Sequence, residues 1–288
     1  MNQIHALTVG MPVFNGELTI ANALKSVLSQ TYSNIKVVIS DDASTDNTEG
    51  ICKEIASKDD RVIYVRQKTN IGLYANFQYV LQQSNTRYFT WVCQDDFRSK
   101  FFFEINIAFL ENNVEYVGST SSNKFIGQFE DNLINYCIEG SFDDRVRIFL
   151  DNILDSHAIL YSIFRTHLLK KCPYLHESYL ALDWSICMYM IALGPIKRTQ
   201  NALIEIGQSG VSNSRNRWRK FRSMNIEYFV PFYRYSIVAI TYFNKMHIIT
   251  ILYTAYRLMI LNLWALKQQT FETIVDYKNA RILPKQKK

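Results

Sequence analysis

The chain opens on an apolar run, Ala6–Val13, that ends at a proline and a turn. A run of that length bounded by turn signals reads as a buried strand. Apolar residues then recur at helical spacing over Leu18–Gln30, with Ile20, Leu24, Val27 and Leu28 on one face. Ile35–Ser40 is a second apolar strand. Asp46 follows as a predicted N-cap, with Glu49 at the spacing of a capping box and with Ile51 and Ile55 on one helix face. Val62–Val65 predicts a third strand, and Leu73, Phe77, Val80 and Leu81 mark a third helix. Tyr88–Cys93 predicts a fourth strand, followed by a helix around Phe101–Leu110. This regular alternation with short connections predicts an α/β fold, a Rossmann-like, mostly parallel sheet flanked by helices on both faces. In such sheets ligands bind outside the carboxyl ends of the strands, so the residues just after each strand are the candidates for chemistry.

Beyond Gly118 the pattern loosens. Ala158–Arg165 reads as a strand, and Tyr179–Leu193 as a helix stopped by Gly194. From Ser214 onward the chain turns helical, basic and aromatic. A chain of 288 residues buries about three quarters of its extended surface, enough for one large domain with an appendage. The predicted organisation is a regular α/β half at 1–118, a looser second half of the same domain at 119–213, and a basic, aromatic helical C-terminal region at 214–288.

Composition narrows the class. With 48% hydrophobic and 14% aromatic residues the chain is not of the disordered kind. Its five cysteines are odd in number and form no C-x-x-C pair, which argues for reduced thiols and against a disulfide framework or zinc site. No secretory signal is visible, and no uncharged apolar run reaches the ~18 residues of a spanning helix, so a cytoplasmic location is expected. The net charge of +6 hides an asymmetry. Residues 214–288 hold 14 Lys/Arg against 3 Asp/Glu, a net of +11, whereas residues 1–213 carry a net of −5. A basic tail on a mildly acidic body points to an anionic partner or to a solvated helical surface.

Two strand ends are acidic: SDDASTD at Ser40–Asp46 and CQDD at Cys93–Asp96. One such turn follows from the turn propensity of Asp; two on one sheet edge repel unless a cation or ligand compensates. No glycine-rich phosphate loop is present. A nucleotide diphosphate at this edge would therefore need a divalent metal held by one or two carboxylates. A calcium loop starting at Asp42 fails, because Asn47 replaces the turn glycine and Lys53 the bidentate Glu.

The stretch PVFNGELTIANALKSVLSQTYSNIKVVISDDASTDNT, Pro12 to Thr48, resembles the opening of family 2 glycosyltransferases. The resemblance continues through Asn70-Ile71-Gly72 and Tyr88–Asp96, covers about the first 110 residues, and resumes at His157–Arg165 and Leu182-Asp183-Trp184. It implies a GT-A fold and an inverting transfer of a sugar from a nucleotide diphosphate donor, with uridine the expected nucleoside, to a hydroxyl. By resemblance, Pro12 and Phe14 lie along the base and ribose, Asp42 accepts the N3–H of uracil, Asp95 holds the ribose or assists the metal, and Asp96 binds a divalent cation, Mn2+ or Mg2+. Asp183 matches the general base. From the residues alone Asp183 reads as a helix N-cap; the resemblance makes it the base. The family often carries a carboxylate where this chain has Cys93, which thins the protein's share of a metal shell.

The chemistry agrees with these roles. A divalent cation stabilises a leaving diphosphate as a Lewis acid, and a carboxylate must take the proton of the acceptor hydroxyl as the new bond forms. Asp183 begins an apolar helix, where the dipole favours its ionised form. The implied acceptor is a glycan or lipid-linked glycan, in surface polysaccharide or glycoconjugate synthesis. Peripheral membrane contact through the basic, aromatic tail is expected; a nucleic-acid partner is not, and a homo-oligomer stays open. Asp41 and Asp46 read as structural, and His157, Trp91 and Trp184 as packing residues. The competing reading is a non-catalytic GT-A scaffold or glycan-binding protein, which would bind no nucleotide with metal.

Overall fold

A computed structural model describes residues 6–128, 133–207, 217–222 and 224–282, with the backbone alone at 217 and 276–282. The first half follows the predicted alternation: β1 (Leu7–Val13), α1 (Ile20–Leu28), β2 (Ile35–Asp41), α2 (Thr48–Ala56), β3 (Val62–Arg66), α3 (Leu73–Gln82) and β4 (Tyr88–Trp91). Then come β5 (Phe97–Arg98), α4 (Phe102–Asn112), β6 (Gly118–Phe125), α5 (Phe142–Asp151), α6 (His157–Leu160), β7 (Ile163–Arg165), α7 (Thr166–Leu169), α8 (Leu182–Leu193) and β8 (Ile196–Ile206). The C-terminal region holds α9 (Arg217–Lys220), α10 (Tyr233–Ile240) and the 35-residue α11 (Ile248–Ile282).

All eight strands form one sheet in the order β3-β2-β1-β4-β7-β6-β8-β5. The β3-β2-β1-β4 half is parallel, with Leu7 opposite both Ile35 and Tyr88. Strand β7 joins it antiparallel to β4 and to β6, and β6 pairs parallel with β8. This is the GT-A architecture expected of the sequence. The buried side chains form two clusters. Leu7, Val9, Met11 and Val13 alternate onto one face with α1 and α4. Val38, Phe89 and Trp91 belong to the other, with α3, α5 and α8.

Several elements differ from the sequence reading. The stretch Ala158–Arg165 divides into the helical turn α6 and the short strand β7, with the break at Tyr161 and Ser162. Helix α2 is capped from Asn47, one residue beyond Asp46. Asp46 instead accepts from the Thr48 amide at 3.0 Å and from the Glu17 amide at 3.1 Å, stitching the β1–α1 loop to the β2–α2 loop. Strand β6, GSTSSNKF, is polar in sequence yet largely buried. Its hydroxyls are satisfied inside: Ser119 donates to Asn106 Oδ1 at 2.6 Å, and the Asn106 amide donates to Ser121 at 2.8 Å. Hydroxyls paired in this way bury without the penalty that hides such strands from a hydrophobicity count.

The C-terminal helices pack on the second cluster. Phe232, Tyr235, Val238, Ala239, Leu258, Leu261 and Ala265 share one core with Leu182, Ile186 and Met190. Trp184 stacks on Phe232, ring centroids 4.8 Å apart, and meets Tyr235 edge-on. Trp184 is therefore a packing residue. The division between 213 and 214, and residues 214–216, lie outside the described residues.

Candidate functional site

The carboxyl ends of β1, β2 and β4 and the start of α8 carry every residue singled out from the sequence. Pro12 lies buried in β1 beside Ser40 of β2. Phe14 follows the strand, 45% exposed at the sheet edge, and its backbone N–H donates to Gln94 Oε1 at 2.9 Å. That bond fastens the loop after β1 to the loop after β4. The two acidic residues after β2 divide their work. Asp41 is fully buried and accepts from the Arg66 guanidinium and the Tyr64 hydroxyl, both at 2.7 Å, and from the Ser44 amide at 2.9 Å. It is a structural residue that shapes the turn, as the sequence indicated.

Asp42, 3% exposed, turns the other way. Its two carboxylate oxygens accept the backbone N–H groups of Ile71 at 2.6 Å and Gly72 at 3.0 Å, and Asn70 donates to its carbonyl. Gly72 has φ +90°, a conformation that glycine reaches without the clash a side chain brings, and it opens α3 from there. The Asn-Ile-Gly stretch is thus a loop folded over the Asp42 carboxylate.

After β4, Asp96 is 3% exposed. Its Oδ1 accepts the Gly207 amide at 3.0 Å, and its Oδ2 faces the buried guanidinium of Arg98 at 3.5 Å. Burial raises its carboxyl above the ordinary carboxylate range; the Arg98 charge and the Gly207 amide pull it down, and the neighbouring Asp95 charge pushes it up. Asp95 is half-buried. Gly207 crowds it so closely that a Cβ there would stand 2.2 Å from the Asp95 Cγ. Cys93, at the position where the family often has an acid, donates its thiol to the Tyr161 hydroxyl at 3.1 Å. Burial pushes the thiol well above its usual range, so Cys93 is a neutral packing group and no nucleophile.

These residues test the fit of a divalent cation. Among the described residues no group of three or more His, Cys, Asp or Glu side chains converges on one point. The donors at this edge are two adjacent carboxylates, and the Asp95 charge raises the Asp96 carboxyl against the Arg98 guanidinium. Each carboxylate oxygen keeps lone pairs beyond its present bonds. Hard oxygen donors of this kind, one or two from protein and the rest from substrate phosphates, suit Mg2+ or Mn2+. The donor set fits such a cation, which Asp96 would hold with Asp95 beside it.

Asp183 stands in the first turn of α8, entered through Ala181 in a left-handed conformation, φ 68°. Its carboxylate is half-buried. Desolvation raises its pKa, opposed by the charge of His157 and by the amides of Asp183 and Trp184. The sequence argument from the helix dipole is right in sign, but burial outweighs it. The result is a stronger base than a free aspartate.

Tyr161, absent from the sequence reading, accepts the Cys93 thiol beside the acidic turn after β4. The charges of both Asp96 and Asp183 act on its phenol, which burial and these carboxylates hold well above its ordinary range. Its ring stands 5.8 Å from the Arg98 guanidinium, and its carbonyl accepts the Thr90 hydroxyl at 3.0 Å. His157, read as a packing residue, does pack edge-on against Phe125, and it also supplies the charge that acts on Asp183. Only their place within the stretch His157–Arg165 singled these residues out; nothing in their own identities marked them.

The model of the glycosyl transferase family 2 matches residues 8–165. Glycosyltransferase GlyA of Streptococcus pneumoniae serotype 4 is 40% identical over 90 residues, 31% of this chain and 13% of that protein. The chain thus spans a small part of that relative's length. Among solved structures, S. aureus TarS 1-349 in complex with UDP-GlcNAc matches with a TM-score of 0.61 at 18% identity, over 82% of this chain and 66% of that one. The mannosyltransferase PcManGT from Pyrobaculum calidifontis, in complex with GDP-Man and Mn2+, matches with a TM-score of 0.60 at 15% identity, over 96% and 76%. At these identities the likeness is one of fold.

Proposed function

Because the chain belongs to glycosyl transferase family 2, we propose that it transfers a sugar, with inversion, from a uridine diphosphate donor to a hydroxyl of a glycan or lipid-linked glycan, at the cytoplasmic face of the membrane. The observation that carries this reading is the pair of buried strand-end acids, Asp42 after β2 and Asp96 after β4, on the carboxyl edge of one parallel sheet. Asp183, at the start of α8 and 87 residues beyond Asp96 in number, adds an acid from a helix start. That is the pairing a transferase needs: charge for a departing diphosphate on one side, a base for the acceptor on the other.

In this reading the acceptor oxygen bonds to the anomeric carbon as the bond from that carbon to the diphosphate oxygen breaks. The hydroxyl proton passes to Asp183, and the electron pair leaves with the nucleoside diphosphate. The raised pKa of Asp183 narrows the gap to the hydroxyl it deprotonates. Asp96 would hold a divalent cation, which when bound would supply Lewis-acid stabilisation of the leaving charge. Pro12 and Phe14 flank the base, and Asp42 takes the uracil N3–H on a lone pair not used by Ile71 and Gly72. Asp95 binds the ribose or assists the cation. The donor assignment draws support from the TarS complex with UDP-GlcNAc, and the cation from the PcManGT complex with Mn2+.

A thermal-shift panel of nucleoside diphosphates and their sugars, with and without manganese, tests the donor class. UDP and a UDP-sugar with manganese are expected to raise the Tm by several degrees, since a ligand that binds only the folded state stabilises it by mass action. An equal response to every nucleotide, or to none, contradicts the reading.

A further inference from the structure

Helix α11 is amphipathic the wrong way round for a helix that ends at water. Its inward stripe contains Thr250, Thr254, Leu258, Leu261 and Ala265, all buried. Its outward stripe is the more apolar one: Ile248, Leu252, Tyr256, Met259, Ile260 and Leu263 are 41–65% exposed. At about 100° per residue these six fall within roughly 120° of each other, directly opposite the buried stripe. From Ile248 to Leu266 the only charged residue is Arg257, and it points to the protein, donating to the Leu150 carbonyl and pairing with Asp151 at 3.1 Å. The outward stripe is therefore free of charge over about 28 Å of helix. Phe229 and Ile240, 77% and 47% exposed, extend it beyond α11.

Its ends are basic. Lys245 and His247 are exposed before the stripe, and Lys267 after it. The sequence beyond adds Lys278, Arg281, Lys285, Lys287 and Lys288 against two acids, Glu272 and Asp276. We propose that the outward stripe of α10 and α11 lies in the plane of an anionic lipid bilayer, with its apolar side chains among the acyl chains and its basic ends among the headgroups. The proposal rests on the glycosyltransferase reading only for its purpose, which is to hold the site beside a lipid-linked acceptor. The window Ile248–Val275 is long and apolar enough to cross a membrane, but its other face is fastened to the core through Leu258, Leu261 and Arg257. An in-plane helix keeps those contacts, and a spanning one would break them. A second copy of the chain is the less suitable cover, because two tails of net +11 would face each other, whereas an anionic surface complements them. The basic ends alone would give binding that vanishes with salt; an inserted apolar stripe does not depend on charge.

The test is flotation of the full chain with vesicles of equal parts phosphatidylglycerol and phosphatidylcholine, at about 0.1 M and about 1 M salt, where the Debye length falls from ~10 Å to ~3 Å. Wild type is expected to float at low salt and to keep a measurable bound fraction at high salt. The triple variant Leu252→Gln, Met259→Gln, Leu263→Gln changes only exposed side chains and should lower the vesicle partition coefficient at least about tenfold, with an unchanged Tm. If the triple variant loses its fold, the single variant Met259→Asp serves for the same comparison. A wild type that stays unbound at low salt overturns the proposal, as does a variant that floats like wild type. A lipid-free dimer that the variant dissociates, with no flotation of either, also overturns it and assigns the face to a second copy. UDP binding measured without vesicles reports on the glycosyltransferase assignment alone, so either idea can fail without the other.

Discussion

The Gly207 amide donates to the Asp96 carboxylate at 3.0 Å, joining residues 111 apart in the chain. The strand-end acid of the first half is therefore held by the end of β8 in the second half. The candidate donor site is not complete in the part of the chain where its residues are densest.

Replacing Asp96 by Asn keeps an oxygen for the Gly207 amide but removes the charge facing Arg98 and the cation ligand. Affinity for UDP in the presence of manganese should fall at least about tenfold, and its dependence on manganese should disappear. Isothermal titration with and without the metal checks this. Unchanged manganese-dependent binding would remove Asp96 from the site.

Gly207→Ala tests the crowding rather than the charge. A Cβ at 207 would stand 2.2 Å from the Asp95 Cγ, so Asp95 or the chain at 207 must move. A stability loss of about 1–3 kcal/mol is expected, together with weakened donor binding. Chemical denaturation and the same titration read the two effects.

The pH dependence follows from the raised pKa of Asp183. The base must be ionised, so the acid limb of kcat/KM should lie above the ordinary aspartate range near 3.9. His157→Asn removes a charge that lowers the Asp183 pKa and should move that limb further up. A limb that stays in place would show that His157 acts only by packing. The sign for stability is opposite to that of a salt-bridged carboxylate. A pKa higher in the folded state gives a contribution present below the unfolded pKa and lost as pH rises through the folded one. Asp183→Asn should therefore leave the Tm near neutral pH unchanged or raised.

Deleting residues from 214 onward removes Phe232, Tyr235, Leu258 and Leu261 from a core shared with α8, the helix that carries Asp183. We expect the truncated chain to lose cooperative unfolding, whereas an independent appendage would leave a sharp transition behind. Thermal melting monitored by circular dichroism separates the two.

The parallel half of the sheet was legible because its signals are local. Apolar runs such as Ala6–Val13 and Ile35–Ser40 are strands buried on both faces, and the turns after them bring Asp42 and Asp96 to one edge. Strand β6 escaped notice because its serines and asparagines are satisfied by partners far along the chain, such as Asn106, Thr199 and Arg198. Tyr161 and Arg98 gain their meaning from burial beside charges, which no spacing encodes. The basic residues of the tail pointed to an anionic partner or a solvated helical surface; which of its apolar residues face the core is set by packing, as Tyr235, Leu258 and Ala265 join the second cluster while α11 turns another apolar stripe outward.

The central claim is that Asp183 takes the proton of the acceptor hydroxyl. The most direct test is a comparison of Asp183→Asn with wild type in two quantities, turnover with a UDP-sugar and the Kd for UDP with manganese. The account predicts turnover lowered by roughly 10²–10⁴ with the Kd nearly unchanged, because the group acts on the acceptor in the transition state and not on the donor. Wild-type turnover in the variant would contradict it and return Asp183 to the role of a helix cap.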